Sequence, residues 1–224
     1  AIGGIFTDIS ERKKLEESSK AAYNFFKMSV EMMIISSMDK FIKVNPAVSK
    51  ILGYSEEELL SKSFLEFTHP DDIEITKKEV AKLQTGAPSI KFENRYICKD
   101  GSIKWLIWSV FPDITTGLLY AVASDITAQK EIETALNVAN TFFYMSFDMF
   151  VVIKNEKFVK VNPAFTRILG YDQREIINKP FLDFIHPEDT KIFMDGIKKL
   201  QVSDSFISHK VRERLKDGSY KWFD

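Results

Sequence analysis

A single cysteine, Cys98, among 224 residues leaves nothing from which to build an internal disulfide framework or a multi-cysteine metal site. A reducing, cytoplasmic setting is the expectation that follows. Three histidines and nine glycines are also too few, and too scattered, for a kinase core, which needs a phosphoacceptor histidine on a helix and glycine-rich nucleotide loops. No apolar stretch approaches the ~20 residues of a membrane span, and the first residues lack the basic-then-apolar layout of a signal peptide. Nor is there an excess of either charge. With 31 Lys plus Arg against 32 Asp plus Glu, interspersed, the chain offers no electrostatic footprint for nucleic acid or for an anionic membrane. Neither is expected as a direct partner.

What the chain has is apolar residues enough for packed cores, at 45% hydrophobic and 13% aromatic, and a length that allows two small domains. It also repeats itself. Residues 41–54 read FIKVNPAVSKILGY and residues 158–171 read FVKVNPAFTRILGY, identical at 10 of 14 positions with an offset of 158 − 41 = 117. The same offset maps Phe25-Phe26 onto Phe142-Phe143, His69-Pro70 onto His186-Pro187, Lys99-Asp100-Gly101 onto Lys216-Asp217-Gly218 and Trp105 onto Trp222. Run backwards, it places Asp8-Ile9 on Asp125-Ile126, so the first residues match the end of the first full repeat. The second copy stops at the position of Ile107.

Within one repeat, residues 32–36 and 41–44 are short apolar runs around Met38-Asp39-Lys40, which predicts a two-stranded hairpin. A helix should follow, with Asn45 capping it through its side-chain oxygen, Pro46 in its first turn and Gly53 as its left-handed exit. Ser55 with Glu58, and Asp172 with Glu175, read as capping boxes of another short helix. Acidic residues after Pro70 suit the start of a longer helix ending near Gly86. From residue 89 the period changes to two: strands over 89–98 and 102–111 flank Asp100-Gly101, a tight-turn signal, and 118–124 form a last strand. Between the repeats, Ile132, Ala135, Ala139 and Phe142 have coiled-coil spacing, as do Leu15, Ser18, Ala22 and Phe25, on helices of ~30 Å. Small residues in both seams weaken that signal. The pattern predicts an α+β domain, a five-stranded antiparallel sheet with helices on one face, in tandem with coiled-coil-like connectors.

The run NPAVSKILGYSEEELL, then HPDD, then KDGSIKWL, then the DIT of Asp125 to Thr127 before a charged helix, resembles the PAS domain with its C-terminal PAC motif. The order and spacing of these elements, not any one of them, carries the resemblance. It divides the chain into the last strand of a preceding PAS repeat (1–10), a connector helix (11–27), a complete PAS domain (28–127), a second connector (128–144) and a second PAS domain lacking its last strand (145–224). The resemblance implies sensory modules of prokaryotic signalling proteins, most often sensor histidine kinases, with a ligand or cofactor between sheet and helices. It further implies that Asp125 and Thr127, and Asp8 and Ser10 in the remnant, couple the sheet to the outgoing helix. Thr127 stands where a helix cap belongs, which gives that coupling a physical route. The plainer alternative is that both residues end a strand and start a helix.

No cofactor is identified. Flavin-photochemical relatives look for a cysteine on the helix after the first two strands, where Val48 and Ser49, or Phe165 and Thr166, stand here. Cys98 lies elsewhere, where a small apolar role is expected. Haem-binding relatives use a histidine on the long helix, and residues 73–86 and 190–202 contain none. His69 and His186, before a helix-opening proline, read as elements of the fold. His209 has Phe92 as its counterpart and shares an apolar alternation with Ile207 and Val211, as a core histidine or a ligand. Candidate pocket lining is Phe92, Asn94 and Tyr96, with Trp105 and Tyr120 opposite, a set that equally suits a filled core.

A non-catalytic sensor and relay is the leading expectation. A purely structural connector is the alternative, as is a part of a cyclic-dinucleotide enzyme or a transcriptional regulator. A homodimer through the connector helices is expected. The segment opening at Ile2 and closing at Thr7 is a strand without its domain, and the second domain leaves an open edge, so strand exchange between chains is a further expectation.

Overall fold

The computed structural model describes residues 10–200 and 210–224, and Ile2, Thr7, Asp8 and His209 therefore lie outside the described residues. The chain divides into two compact units, Ala1–Ile132 and Glu133–Asp224.

In the first unit, helix α1 (Ser10–Met28) leads to strands β1 (Met32–Ser36) and β2 (Phe41–Val44), the short helices α2 (Pro46–Leu52) and α3 (Glu56–Ser61), and helix α4 (Ile73–Leu83). Strands β3 (Ser89–Ile97), β4 (Ile103–Asp113) and β5 (Leu118–Asp125) follow, and helix α5 (Thr127–Met145) leads out. The five strands form one antiparallel sheet in the order β2-β1-β5-β4-β3. Strict alternation along β1 and β5 sends Met32, Ile34, Leu119, Ala121 and Ala123 to the covered face, and all of these but Leu119 join the core with Val48, Leu52, Leu59, Phe64 and Phe67 from the helical segments.

Local chemistry explains the helix ends. Gly53 takes φ 78°, the left-handed exit of α2. Ser55 accepts from the Glu58 N–H while Glu58 accepts from the Ser55 N–H, and Asp172 with Glu175 repeats the box. Two expectations need correction. Asn45 does not cap α2 with its side chain: its Oδ1 accepts from Met33 N–H at 3.0 Å instead. The long helix is preceded by a 3-10 turn, Pro70–Asp72, because the His69 Nδ1 accepts from Asp71 N–H and starts a tighter turn there.

The described part of the second unit holds β6 (Val151–Lys154), β7 (Lys157–Val161), α6 (Pro163–Leu169), α7 (Gln173–Ile176), α8 (Thr190–Leu200), β8 (Val211–Arg214) and β9 (Tyr220–Phe223). Its strands pair as two antiparallel hairpins, β6 with β7 and β8 with β9. Here Asn162 does cap its helix, accepting from Phe165 N–H at 3.1 Å.

Candidate functional site: an internal cavity and the joint to the outgoing helix

Between α4 and the covered face of the sheet lies a cavity of about 60 Å³. Phe92, Asn94 and Tyr96 line it from β3, as their alternation demands. Trp105 and Tyr120 do not. Phe92 pairs with Trp108, Asn94 with Leu106 and Arg95 with Trp105 across the β3–β4 hairpin, so Leu106 and Trp108 share the face of Phe92, Asn94 and Tyr96, and Trp105 does not. Trp105 is on the opposite face, with the Arg95 guanidinium 5.3 Å and the Lys130 ammonium 5.4 Å from its ring centre. Tyr120 is 45% exposed on that same outer face, in a row with Ile35 and Phe111.

The cavity's polar groups bond to one another. Trp108 donates its Nε1–H to Asn94 Oδ1 at 2.7 Å, Asn94 Nδ2 donates to Thr76 Oγ1 at 3.0 Å, and Thr76 donates to the Asp72 carbonyl at 2.7 Å. Ser89 donates to Glu79, which also pairs with Lys82. No cationic side chain lines the cavity among the described residues. Burial pushes the Tyr96 phenol well above its ordinary range, against a smaller opposing hydrogen bond with Thr68. The pocket is therefore a mostly apolar space whose one charged lining group, the Glu79 carboxylate, is paired with Lys82. A water molecule needs ~10–15 Å³ of such volume and an engineered cavity of ~150 Å³ admits benzene, so this one suits an occupant smaller than benzene.

Asp72, at the start of α4, ties that helix to β3. Its carboxylate accepts from the Arg95 backbone N–H at 2.7 Å and from the guanidinium at 2.9 and 2.6 Å. The guanidinium hydrogen bonds hold its pKa below the ordinary carboxylate range against the opposing effect of burial. Asp189 and Arg212 repeat the brace at 2.8, 2.8 and 2.7 Å.

Asp125 and Thr127 meet at the start of α5. The Thr127 hydroxyl does not cap the helix. It accepts from the Trp105 backbone N–H at 3.0 Å and donates to Asp125 Oδ1, which also accepts from Thr127 N–H at 2.9 Å. Lys104 reaches Asp125 Oδ2 at 3.0 Å, and Ile126 donates its N–H to the Trp105 carbonyl. Burial works to raise the Asp125 pKa, but these donors together leave it lowered. The first turn of α5 is thus bonded to β4. Ser10 opens α1.

His69 and His186 act as caps of 3-10 turns through Nδ1. Cys98 is buried, its Sγ 3.6 Å from the Ile51 carbonyl. Val48 and Phe165 are core residues of α2 and α6. Trp108, Thr76, Glu79 and Ser89 were not anticipated as lining. Counting antiparallel pairs outward from the Asp100-Gly101 turn would have chosen Trp108 over Trp105, since two residues three apart on a strand cannot share a face.

The sheet, its helical cover and the bonded joint to an outgoing helix define an α+β sensory domain of the kind built into signalling proteins. The family profile described as "PAS fold" matches residues 41–115 and 158–224, more than half of the chain, and the chain belongs to that family as a tandem of two PAS domains. Among similar curated proteins, the probable diguanylate cyclase DgcE of Escherichia coli (strain K12) is 30% identical over 130 residues, covering 55% of this chain and 12% of that protein. The sensor histidine kinase TmoS of Ectopseudomonas mendocina is 27% identical, covering 58% and 15%. Sporulation kinase A of Bacillus subtilis (strain 168) is 23% identical, covering 88% and 36%. The chain thus spans between 12% and 36% of the length of these relatives. Among solved structures, the PAS domain of an HTR-like protein from Haloarcula marismortui is 26% identical, with a TM-score of 0.47 over 53% of this chain and 100% of that one. No helix among the described residues is long and apolar enough to cross a membrane.

Proposed function

We propose that this chain is a non-catalytic sensory and relay segment of a larger signalling protein, with a histidine kinase as the parent. The observation that carries this reading is the joint at Asp125 and Thr127. Side chains of both, with Lys104, bond the last strand and β4 to the first turn of α5. A shift of the sheet is then a shift of the helix start. The cavity beside Asn94 and Trp108 supplies a place for the stimulus, a small uncharged and mainly apolar molecule. The exposed apolar residues Leu15 and Phe25 on α1, and Ile132 and Phe142 on α5, favour a homodimer through these helices. Strand exchange by residues 2–7 is a separate proposal.

A second reading, a connector with an empty core, draws on the mutual satisfaction of the cavity's polar groups, which need no ligand. Native mass spectrometry of the purified chain separates the two: a retained small molecule supports sensing, and a bare dimer supports the connector. Asp125→Ala tests the joint. Amide exchange in the first turn of α5 should rise several-fold while the domain's unfolding midpoint holds; loss of folding alone removes the relay role.

A further inference from the structure

Helix α1 buries no residue, so its place beside the first domain is not set by an apolar face sunk into the core. What holds it is its last turn. The Lys43 ammonium on β2 sits 5.0 Å from the Phe26 ring centre and 5.5 Å from that of Tyr23. The Asn45 carboxamide, 1% exposed, donates from Nδ2 to the carbonyls of Phe26 at 3.2 Å, Ser29 at 3.4 Å and Glu31 at 2.9 Å, while its Oδ1 accepts from Met33 N–H. Phe26 belongs to the final turn, where helix carbonyls lack partners within the helix. One side chain thus bonds the helix end, the linker and the first strand.

The second unit repeats the device 117 residues later with different bonds. Lys160 lies 4.5 Å from the Phe143 ring centre and 4.9 Å from that of Tyr144, and donates to Asn140 Oδ1 at 3.3 Å. Asn162, 0% exposed, accepts from Phe150 N–H at 3.0 Å and donates to the Asp148 carbonyl at 2.8 Å. In the first unit the asparagine grips the helix. In the second the lysine does.

We infer that Lys43 with Asn45, and Lys160 with Asn162, are receiving joints through which each domain takes up movement of the helix that precedes it. Each domain then has a bonded joint at its incoming helix, and the first has another at its outgoing one, which makes it an in-line element that works whether or not its cavity is filled. The inference rests on the relay reading for its consequence, because a receiving joint matters only if the outgoing joint responds.

Hydrogen exchange of the intact chain, followed by mass spectrometry, tests it with Lys43→Met, Lys43→Arg and Asn45→Ala. Losing an exposed cation–π contact should speed exchange in the last turn of α1 roughly two- to fivefold in Lys43→Met, and Lys43→Arg should restore it. The first turn of α5 should change in the same variant while β3 and β4 do not. Unchanged exchange at α1 in both Lys43→Met and Asn45→Ala overturns the joint. A loosened α1 with an unaltered α5 keeps the attachment but overturns its role in relay. Lys43→Met is exposed and leaves the core intact, so misfolding of Asn45→Ala does not decide the outcome.

Discussion

Thr76 and Asn94 in the first domain correspond to Phe193 and Val211 in the second. The first pair belongs to a hydrogen-bonded chain that ends on Trp108 and borders a cavity. The second pair is apolar: Val211 is a core residue and Phe193 packs on Phe181 with ring centres 5.4 Å apart. Tyr96 likewise gives way to Glu213, whose Oε2 is buried without a partner among the described residues. Two copies of one fold therefore share the Asp–Arg brace, and a lysine and a buried asparagine at equivalent positions, but not the chemistry of their interiors. The frame is what both copies need in order to fold, and the interior is where they can differ in what they admit.

The largest expected effect tests what the copies share. Asp72→Ala strips three acceptor contacts from Arg95 and should cost about 4 kcal/mol, as removal of one partner of a buried ion pair does. Asp189→Ala should act in the same direction on the second domain. Both carboxyls have native pKa values below their unfolded ones, Asp189 at about 2, so their stabilisation is present above the ordinary carboxylate range. It is lost as pH falls through the native values. Urea titrations from pH 7 to pH 2 check this, and a response in only one domain breaks the equivalence.

Next comes the difference in the interiors. Asn94→Val imports the second domain's residue, leaves the Trp108 N–H and Thr76 without their partner, and should cost about 3 kcal/mol. Adding Thr76→Phe should fill the cavity and recover part of the loss, read from thermal unfolding. If the single change is neutral, the hydrogen-bonded chain is not what separates the two interiors.

Glu213 should give the second domain a pH dependence of opposite sign. Desolvation raises its pKa from 4.5 to about 7, so the unfolded chain ionises first as pH rises. Stability is full below the unfolded value and falls between roughly pH 5 and pH 8 by about 2 kcal/mol. Glu213→Gln should flatten that slope, and a wild-type profile already flat means the carboxylate has found a partner.

The hairpins, the capping boxes and the exit at Gly53 were legible in the sequence because each depends on neighbours a few residues apart. The five-stranded sheet followed from their order. Side-chain identity misled where tertiary contacts decide. Asn45 looks like a cap, yet its oxygen bonds the Met33 N–H alone, whereas Asn162 makes the equivalent bond to Phe150 and caps its helix as well. Trp105 looks like a core residue, yet Arg95 and Lys130 hold it on the outer face. The brace between Asp72 and Arg95 spans 23 residues, and no local pattern announces it.

The smallest effect bears on the face assignment itself. Tyr120 and Leu119 are consecutive on β5, one 45% and the other 2% exposed. With Tyr120 opposite Ile35 and Phe111, Tyr120→Thr keeps a strand-favouring residue on the outer face and should shift stability by no more than about 0.5 kcal/mol. Leu119→Ala removes apolar volume next to the cavity and should enlarge it at a cost of a few kcal/mol. A small apolar probe such as xenon, followed by chemical shifts of the lining methyls, should bind the Leu119 variant more tightly and the Tyr120 variant as it binds the parent. The opposite ranking would place Tyr120 inside, and the distinction between a hydrogen-bonded cavity in one domain and an apolar core in the other would have to be redrawn with the strand turned over.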